Sequence, residues 1–280
     1  MKEDKVSERK AEELQKKIDQ SKKVIRETLE KFAPWEIAVT WTGGKDSTTN
    51  LWITRQVCLE DNIDLPYIIT IDEGDTFTEI TDLLINISKK WNIDLKWLCN
   101  FDVLRACQSK LGNTVKLKDL SERNQTELKR IGFEADSFPF EAESYAGNHL
   151  MKTVVLNQFI EENKIKAVSV AIRWDEHPAR KNDKYFTRKE GGNLMPEHTR
   201  IAPILHFTER DIWDNIKLHN LPYCGLYEIG YRSLGVRTTS NPMVVGIPAW
   251  QQDLENTIER AGRRQDKEKT MDRLRKLGYM

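Results

Sequence analysis

The chain has 280 residues, with 44 Lys+Arg against 44 Asp+Glu, so its formal net charge is zero. That balance argues against a protein built as a general nucleic-acid or membrane-surface binder, and the length allows one large domain or a domain with an appendage. The four cysteines, Cys58, Cys99, Cys107 and Cys224, show no C-x-x-C spacing, and the sequence has neither a signal peptide nor an apolar run of transmembrane length, so a cytoplasmic, reduced protein without structural zinc or an iron–sulfur cluster is expected.

Residues 3 to 32 are charged and helix-favouring, with Val6, Leu14, Ile18, Ile25 and Leu29 as a thin apolar stripe and Pro34 as the stop. The pattern predicts an amphipathic helix that packs on the core or on a second subunit. The apolar run Ile37, Ala38, Val39, Thr40 then ends in Thr42, Gly43, Gly44, Lys45, Asp46 and Ser47, after which helix formers resume through Glu60. This reads as a buried strand, a tight turn and a helix start. Two consecutive glycines let the backbone turn and present its N–H groups. The helix N-terminus adds unpaired donors and the positive end of a dipole, and Lys45 and Ser47 add a charge and a hydroxyl. An anion of pyrophosphate size suits such a construction. It is not a Walker loop, because Asp46 follows Gly44-Lys45 and no glycine stands five residues before Gly44.

Residues 65 to 72, LPYIITID, predict a second apolar strand with Asp72 at its carboxyl end, where open α/β sheets keep their ligands. A helix over 77–91 and a short strand over 95–99 continue an alternation of β and α that predicts a parallel, doubly wound sheet. Residues 100 to 148 are less patterned, and two readings stay open: a surface excursion with its own small helices, or a lid over the site. A helix is expected over 151–163. The strand AVSVAI (167–172) then runs straight into Arg173, Trp174, Asp175, Glu176, His177, Pro178, Ala179 and Arg180, a charged cluster in the position where this fold class places its sites. Further on, Thr208 is an N-cap followed by acidic residues, and Ile212, Trp213 and Ile216 form the buried face of a helix closed by Pro222. The stretch GLYEIGYRSLG (225–235) is rich in glycine and aromatics, and the last thirty residues read as a basic helical tail.

Taken in order, TGGKDS (42–47), ITIDEGDTF (69–77), LMKT (150–153), IRWDEHPAR (172–180), PILHFTERDIW (203–213), GYRSLG (230–235) and IERAGRRQDKE (258–268) resemble the phosphoadenosine phosphosulfate (PAPS) reductase family of N-type ATP pyrophosphatases. Thr42 stands in the first serine position of that family's S-G-G-x-D-S loop. Within the family the chain is similar to the small, nucleotide-binding subunits of ATP sulfurylases. The resemblance implies an α/β, doubly wound parallel sheet of the adenine-nucleotide α-hydrolase type with a small C-terminal helical region. The corresponding division is 1–33 as the N-terminal helix, 34–200 as the nucleotide domain and 201–280 as the region closing the site.

The resemblance further implies that ATP, with Mg2+, is cleaved between its α and β phosphates. Thr42, Gly43, Gly44, Lys45, Asp46 and Ser47 would hold the departing pyrophosphate, with Asp72 near the nucleotide or its magnesium ion. Arg173, Arg180 and Arg232 would hold the oxyanion and the charge developing on the α-phosphate, oriented by Asp175 and Glu176, with no metal-ligand set among the side chains. Sulfate is the first acceptor this suggests, giving adenylylsulfate in sulfate assimilation, with a GTP-hydrolysing partner subunit as in the family and a homo-oligomer left open. The alternatives are flavin mononucleotide (FMN) as acceptor, sulfur insertion into tRNA, or a non-catalytic nucleotide-binding regulator. Zero net charge disfavours tRNA, since the only basic cluster is 260–275. The family's reductases depend on a cysteine in E-C-G-[IL]-H, and some members carry Gly-Cys where this chain has Gly235-Val236, so a thiol-dependent reductase is disfavoured.

Overall fold

Ile37, Ala38 and Val39 are buried from both faces, and the strand they begin, β1 (Ile37–Thr40), lies in the interior of a six-stranded sheet. The structure, a computed structural model, describes residues 8 to 192 and 195 to 262. Around β1 the chain forms α1 (Glu8–Lys31), α2 (Lys45–Glu60), β2 (Tyr67–Ile71), α3 (Thr78–Trp91) and β3 (Leu95–Leu98). Next come α4 (Phe101–Ala106), β4 (Thr114–Lys116), α5 (Glu122–Arg130), β5 (Ser137–Pro139) and α6 (Tyr145–Asn148), which continues through one π-helical stretch (His149–Val154) into α7 (Val155–Asn163). β6 (Ala167–Ser169), β7 (Phe186–Lys189), β8 (His198–Ile201) and α8 (Glu209–Leu218) complete the regular elements, and short 3-10 turns follow.

The sheet order is β3-β2-β1-β6-β8-β7, parallel except for β7, which runs antiparallel to β8. Val39 sits opposite Ile68 of β2 on one side and Ser169 of β6 on the other. The chain therefore winds outward from β1 through β2 and β3, then returns to the far side of β1. That reversal opens a crevice at the carboxyl ends of β1 and β6, the place where such sheets bind ligands. The loop after β1 and the arginine cluster after β6 both enter it.

α1 buries Leu14, Ile18, Val24 and Ile25 against α2 and α8, and Ser21 Oγ donates to the Pro203 carbonyl at 2.9 Å. Val6, the first residue of the expected stripe, lies outside the described residues. Residues 100–148 form an excursion with its own small helices and a two-stranded sheet. β4 and β5 pair antiparallel, and Val103, Val115, Leu128, Phe138 and Phe140 share a separate apolar cluster with Leu150 and Met151.

Several boundaries differ from expectation. The strand expected to reach residue 172 stops at Ser169, because β1 turns into its loop at Trp41 and leaves the next residues without that neighbour. The helix expected from 151 starts at Tyr145, capped by the Ser144 hydroxyl, which accepts from the Gly147 N–H at 3.0 Å. β7 and β8 were not anticipated. The basic tail beyond Gly262 lies outside the described residues, and the stretch before it is made of 3-10 turns.

The C-terminal region is tied across the crevice at separate points. Asp75, buried after β2, accepts from Arg237 Nε at 3.1 Å and from the Thr238 N–H at 3.0 Å. Gly230 turns the chain with φ of 108°, and a Cβ there would lie 2.1 Å from the Val244 carbonyl oxygen. Gly230→Ala is therefore expected to lower stability by about 2 kcal/mol or more, the cost of a strained backbone plus a displaced segment. Urea denaturation checks this; an unchanged midpoint would show that the 230–245 contact is dispensable.

Candidate functional site

The loop after β1 has two glycines with different duties. Gly43 is left-handed at φ 73°, and an added Cβ would meet Ile80 at 3.1 Å. Gly44 is the N-cap of α2, with φ −74° and ψ 157°, so it needs no special backbone freedom. A Cβ on it would only touch Thr42 Oγ1 and the Tyr227 hydroxyl at 3.5 and 3.6 Å. Ser47 Oγ accepts from the Thr42 N–H at 3.2 Å and donates to the Gly44 carbonyl at 3.0 Å, which fixes the loop's curvature.

Lys45 opens α2 yet is only 1% exposed. Its N–H donates to the Tyr227 hydroxyl at 3.1 Å. Its Nζ donates to Glu259 and, at 3.2 Å, to the Arg232 carbonyl, and lies 3.3 Å from Asp46 Oδ2 and 3.7 Å from Glu209 Oε1. Arg173, also 1% exposed, donates through Nε to Asp175 at 2.8 Å, through Nη1 to Asp46 and through Nη2 to Glu259. The second oxygen of Asp175 accepts from the Glu209 N–H at 2.7 Å, placing the start of α8 on the same network. Burial pulls the Lys45 ammonium and the Arg173 guanidinium down, but Glu259 together with the other carboxylates outweighs it and both end above their ordinary values. Conversely, burial pushes the Glu259 carboxyl up, and Arg173 followed by Lys45 holds it well below the usual carboxylate range.

Arg232 was expected to face an oxyanion, and its geometry is that of a brace. It forks onto Glu209, with Nε at 2.9 Å and Nη2 at 2.7 Å from Oε2, and spends its remaining donors on Thr257 and on the carbonyls of Asp253, Leu254 and Thr257. Arg180 binds Asp183 at 3.2 Å, a carboxylate it shares with Arg200. Glu176 pairs with Arg260 at 2.8 Å and adds a favourable charge near Arg173. Asp72 folds onto its own turn, accepting from the Gly74 N–H at 2.8 Å. The site as built thus joins Thr42 to Ser47, Arg173 and Asp175 with three residues that had not been singled out: Glu209, Tyr227 and Glu259. Glu209 had read as an ordinary first-turn acid, Tyr227 as part of an aromatic run, and Glu259 as one letter of the tail.

All four cysteines are free, and burial pushes the Cys58 thiol up to about 11 and the Cys99 thiol up to about 12, far from a reactive thiolate. No helix among the described residues is long and apolar enough to cross a membrane. A charged surface hollow of about 320 Å³ between α5 and α7 includes none of the loop's residues.

The chain belongs to the phosphoadenosine phosphosulfate reductase domain family, whose pattern matches residues 36–242. A phosphoadenosine 5'-phosphosulfate reductase of Xylella fastidiosa (strain M12) is 31% identical over 96 residues, which is 34% of this chain and 38% of that protein. A probable FAD synthase of Schizosaccharomyces pombe is 32% identical over 166 residues, 51% of this chain and 61% of that protein. The chain thus spans less than two thirds of the length of these curated relatives. Among solved structures, the FMN adenylyltransferase of Candida glabrata in complex with FAD and inorganic pyrophosphate superposes with a TM-score of 0.65 at 18% identity, covering 90% of both chains. This likeness shows that the two chains share a fold.

Two outcomes follow from the ion network. Arg232→Lys keeps the charge but loses the fork and most of the carbonyl contacts, so it is expected to cost about 3 kcal/mol of stability, by analogy with breaking a buried ion pair. A thermal melt reads this as a loss of several degrees, and an unchanged melt with low activity would return Arg232 to the oxyanion role. Glu259 has a folded-state pKa below its unfolded one, so its stabilisation is present above about pH 4 and is lost as pH falls through the folded value. The stability gap between wild type and Glu259→Gln should therefore be widest at neutral pH and narrow below about pH 4.

Proposed function

We propose that this family member transfers the adenylyl group of ATP to a phosphate-bearing acceptor, with FMN favoured over sulfate. The observation that carries the reading is the meeting of a glycine-turned helix N-terminus with Lys45 and Arg173, side chains from the segments that follow the neighbouring strands β1 and β6. In the reaction a phosphate oxygen of FMN attacks the α-phosphorus in line, the bond to the β-phosphate oxygen breaks, and FAD and pyrophosphate leave. Positioning and positive charge suffice for such a displacement, and no protein nucleophile is needed. Lys45, the loop amides and the hydroxyls of Thr42 and Ser47 take the role of holding the pyrophosphate. Arg173 takes the α-phosphate, and Asp72 lies toward the nucleotide.

Mg2+ bound with a triphosphate neutralises phosphate charge and needs only one or two protein carboxylates. No group of three or more His, Cys, Asp or Glu residues is arranged for a metal among the described residues. Asp46, inside the loop, is the carboxylate suited to a shared ion.

Two observations support FMN over sulfate. The likeness to FMN adenylyltransferase covers 90% of each chain, and the S. pombe FAD synthase matches over half of this one. In addition, the three-arginine clamp expected for sulfate loses its support, since Arg232 is committed to Glu209 and Arg180 to Asp183. The GTPase partner was implied only by the sulfate reading, and the FMN reading does not call for one.

Incubating the protein with Mg-ATP and FMN, sulfate or no acceptor, while measuring pyrophosphate and FAD fluorescence, tests the reading. Pyrophosphate matched by FAD is expected. Release that requires sulfate would reinstate the sulfurylase reading, and ATP binding without release would favour a regulator. Gly44→Ala keeps the N–H donor and the N-cap conformation and adds only a Cβ where a phosphate would approach the loop backbone, so release is expected to fall while the melt barely changes. Full turnover by the folded variant would remove the loop from the mechanism.

A further inference from the structure

Lys45 Nζ and each of the three nitrogens of Arg173 already face an acceptor. The three N–H groups of Lys45 Nζ serve Glu259, Asp46 and the Arg232 carbonyl, while the three nitrogens of Arg173 serve Asp175, Asp46 and Glu259. A phosphate placed between the two cations competes with the acceptors they share, Asp46 and Glu259. Asp46 is built into the loop and α2, and Asp175 is fastened to the start of α8. Glu259 differs from both. It reaches Lys45 from 214 residues away in sequence and belongs to a single 3-10 turn, Glu259–Gly262. Its predecessor Ile258 is 65% exposed, so one charged side chain dips inward from a segment that otherwise lies on the surface. Its two oxygens divide between the two cations, Oε1 to Lys45 and Oε2 to Arg173, as two oxygens of one phosphate would.

We propose that Glu259 is a self-supplied stand-in for the nucleotide's phosphate, which makes residues 258 to 262 an autoinhibitory latch that the triphosphate displaces. The proposal rests on the nucleotide-binding reading above. Arg232 pins the carbonyls of Asp253, Leu254 and Thr257, so the segment before the latch stays fixed and the hinge falls at Ile258. Beyond the hinge the latch is fastened by the Arg260–Glu176 pair and by the Gly262 carbonyl, which accepts from the Asn241 N–H at 3.0 Å. Tyr227 supports the same picture on the backbone side. Its hydroxyl accepts the Lys45 N–H at 3.1 Å, so the first donor of the helix is also held by the C-terminal region. When the latch opens, Lys45 and Arg173 exchange one anionic partner for another and are never left unpaired.

Binding of magnesium pyrophosphate to the full chain, measured by titration calorimetry, tests the latch in wild type, Glu259→Gln and Arg260→Ala. A latch lowers apparent affinity by the fraction of molecules that are open. Glu259→Gln should bind ~10-fold more tightly and Arg260→Ala ~3-fold more tightly than wild type on that relation. The second variant separates the latch from plain electrostatics: deleting a positive charge by itself weakens anion binding, so tighter binding requires that the Arg260–Glu176 fastening be what held the site shut. If Glu259→Gln does not fold, Arg260→Ala decides alone. Wild type that binds, with variants that bind equally or more weakly, overturns the latch and leaves the nucleotide site standing. Absence of binding in all three overturns the nucleotide reading and the latch with it.

Discussion

Two cations buried side by side impose the constraint on which the rest of the site depends. Lys45 and Arg173 are both almost fully excluded from solvent. Like charges a few ångströms apart repel by about 4 kcal/mol at an effective dielectric of 20, before any loss of hydration is counted. A buried pair of this kind persists only where carboxylates balance it, and here Asp46, Asp175, Glu209 and Glu259 come from four separate segments. The network therefore ties the loop, the segment after β6, the start of α8 and the C-terminal turns into one electrostatic unit. Fold and site are stabilised by the same contacts.

Sheet topology explains why these residues meet. β1 and β6 are neighbours in space although more than a hundred residues separate them in sequence, and the parallel register sets Val39 beside Ser169. A chain leaving each strand at its carboxyl end delivers Lys45 from one side of the crevice and Arg173 from the other. The antiparallel β7 and its partner β8 then return the chain to α8, whose capping box, Thr208 with Asp211, starts the helix where Glu209 can face Arg232. A helix N-terminus favours acidic residues for reasons of its dipole, and the fold uses one such acid as the anchor of a buried arginine.

What the sequence made legible follows from how local each signal is. β1, the glycine turn, β2, α3 and the capped α8 depend on period, propensity and turn chemistry within a few residues, and they lie close to where that reading places them. β7 and β8 were not legible, because FTRK and HTRI carry charge at positions that a two-sided buried strand would fill with apolar residues. The π-helical stretch His149–Val154 likewise has no local signature. In the site, Lys45 and Arg173 stood out because each follows a buried strand. Glu259, Tyr227 and Glu209 did not, since their roles exist only through contacts spanning 214, 182 and 23 residues. The same limit explains Arg232: the sequence shows an arginine in a glycine-rich run, but only the packed structure shows Glu209 taking its fork.

An anion site made of buried cations faces a conflict between binding strength and folding. Cations left unpaired would attract phosphate strongly, yet a lone buried charge costs about 3–5 kcal/mol, a large share of a typical domain's net stability. Permanent neutralisation by rigid carboxylates would protect the fold and repel the ligand. This chain divides the task. Asp46 and Asp175 are held by the helices and loops that build the crevice, whereas Glu259 is carried on a short turn, the one that the proposed latch exchanges for an incoming anion. On the proposed latch the buried charge stays balanced when phosphate replaces Glu259, and the affinity for phosphate is then set by how firmly one turn of chain is fastened.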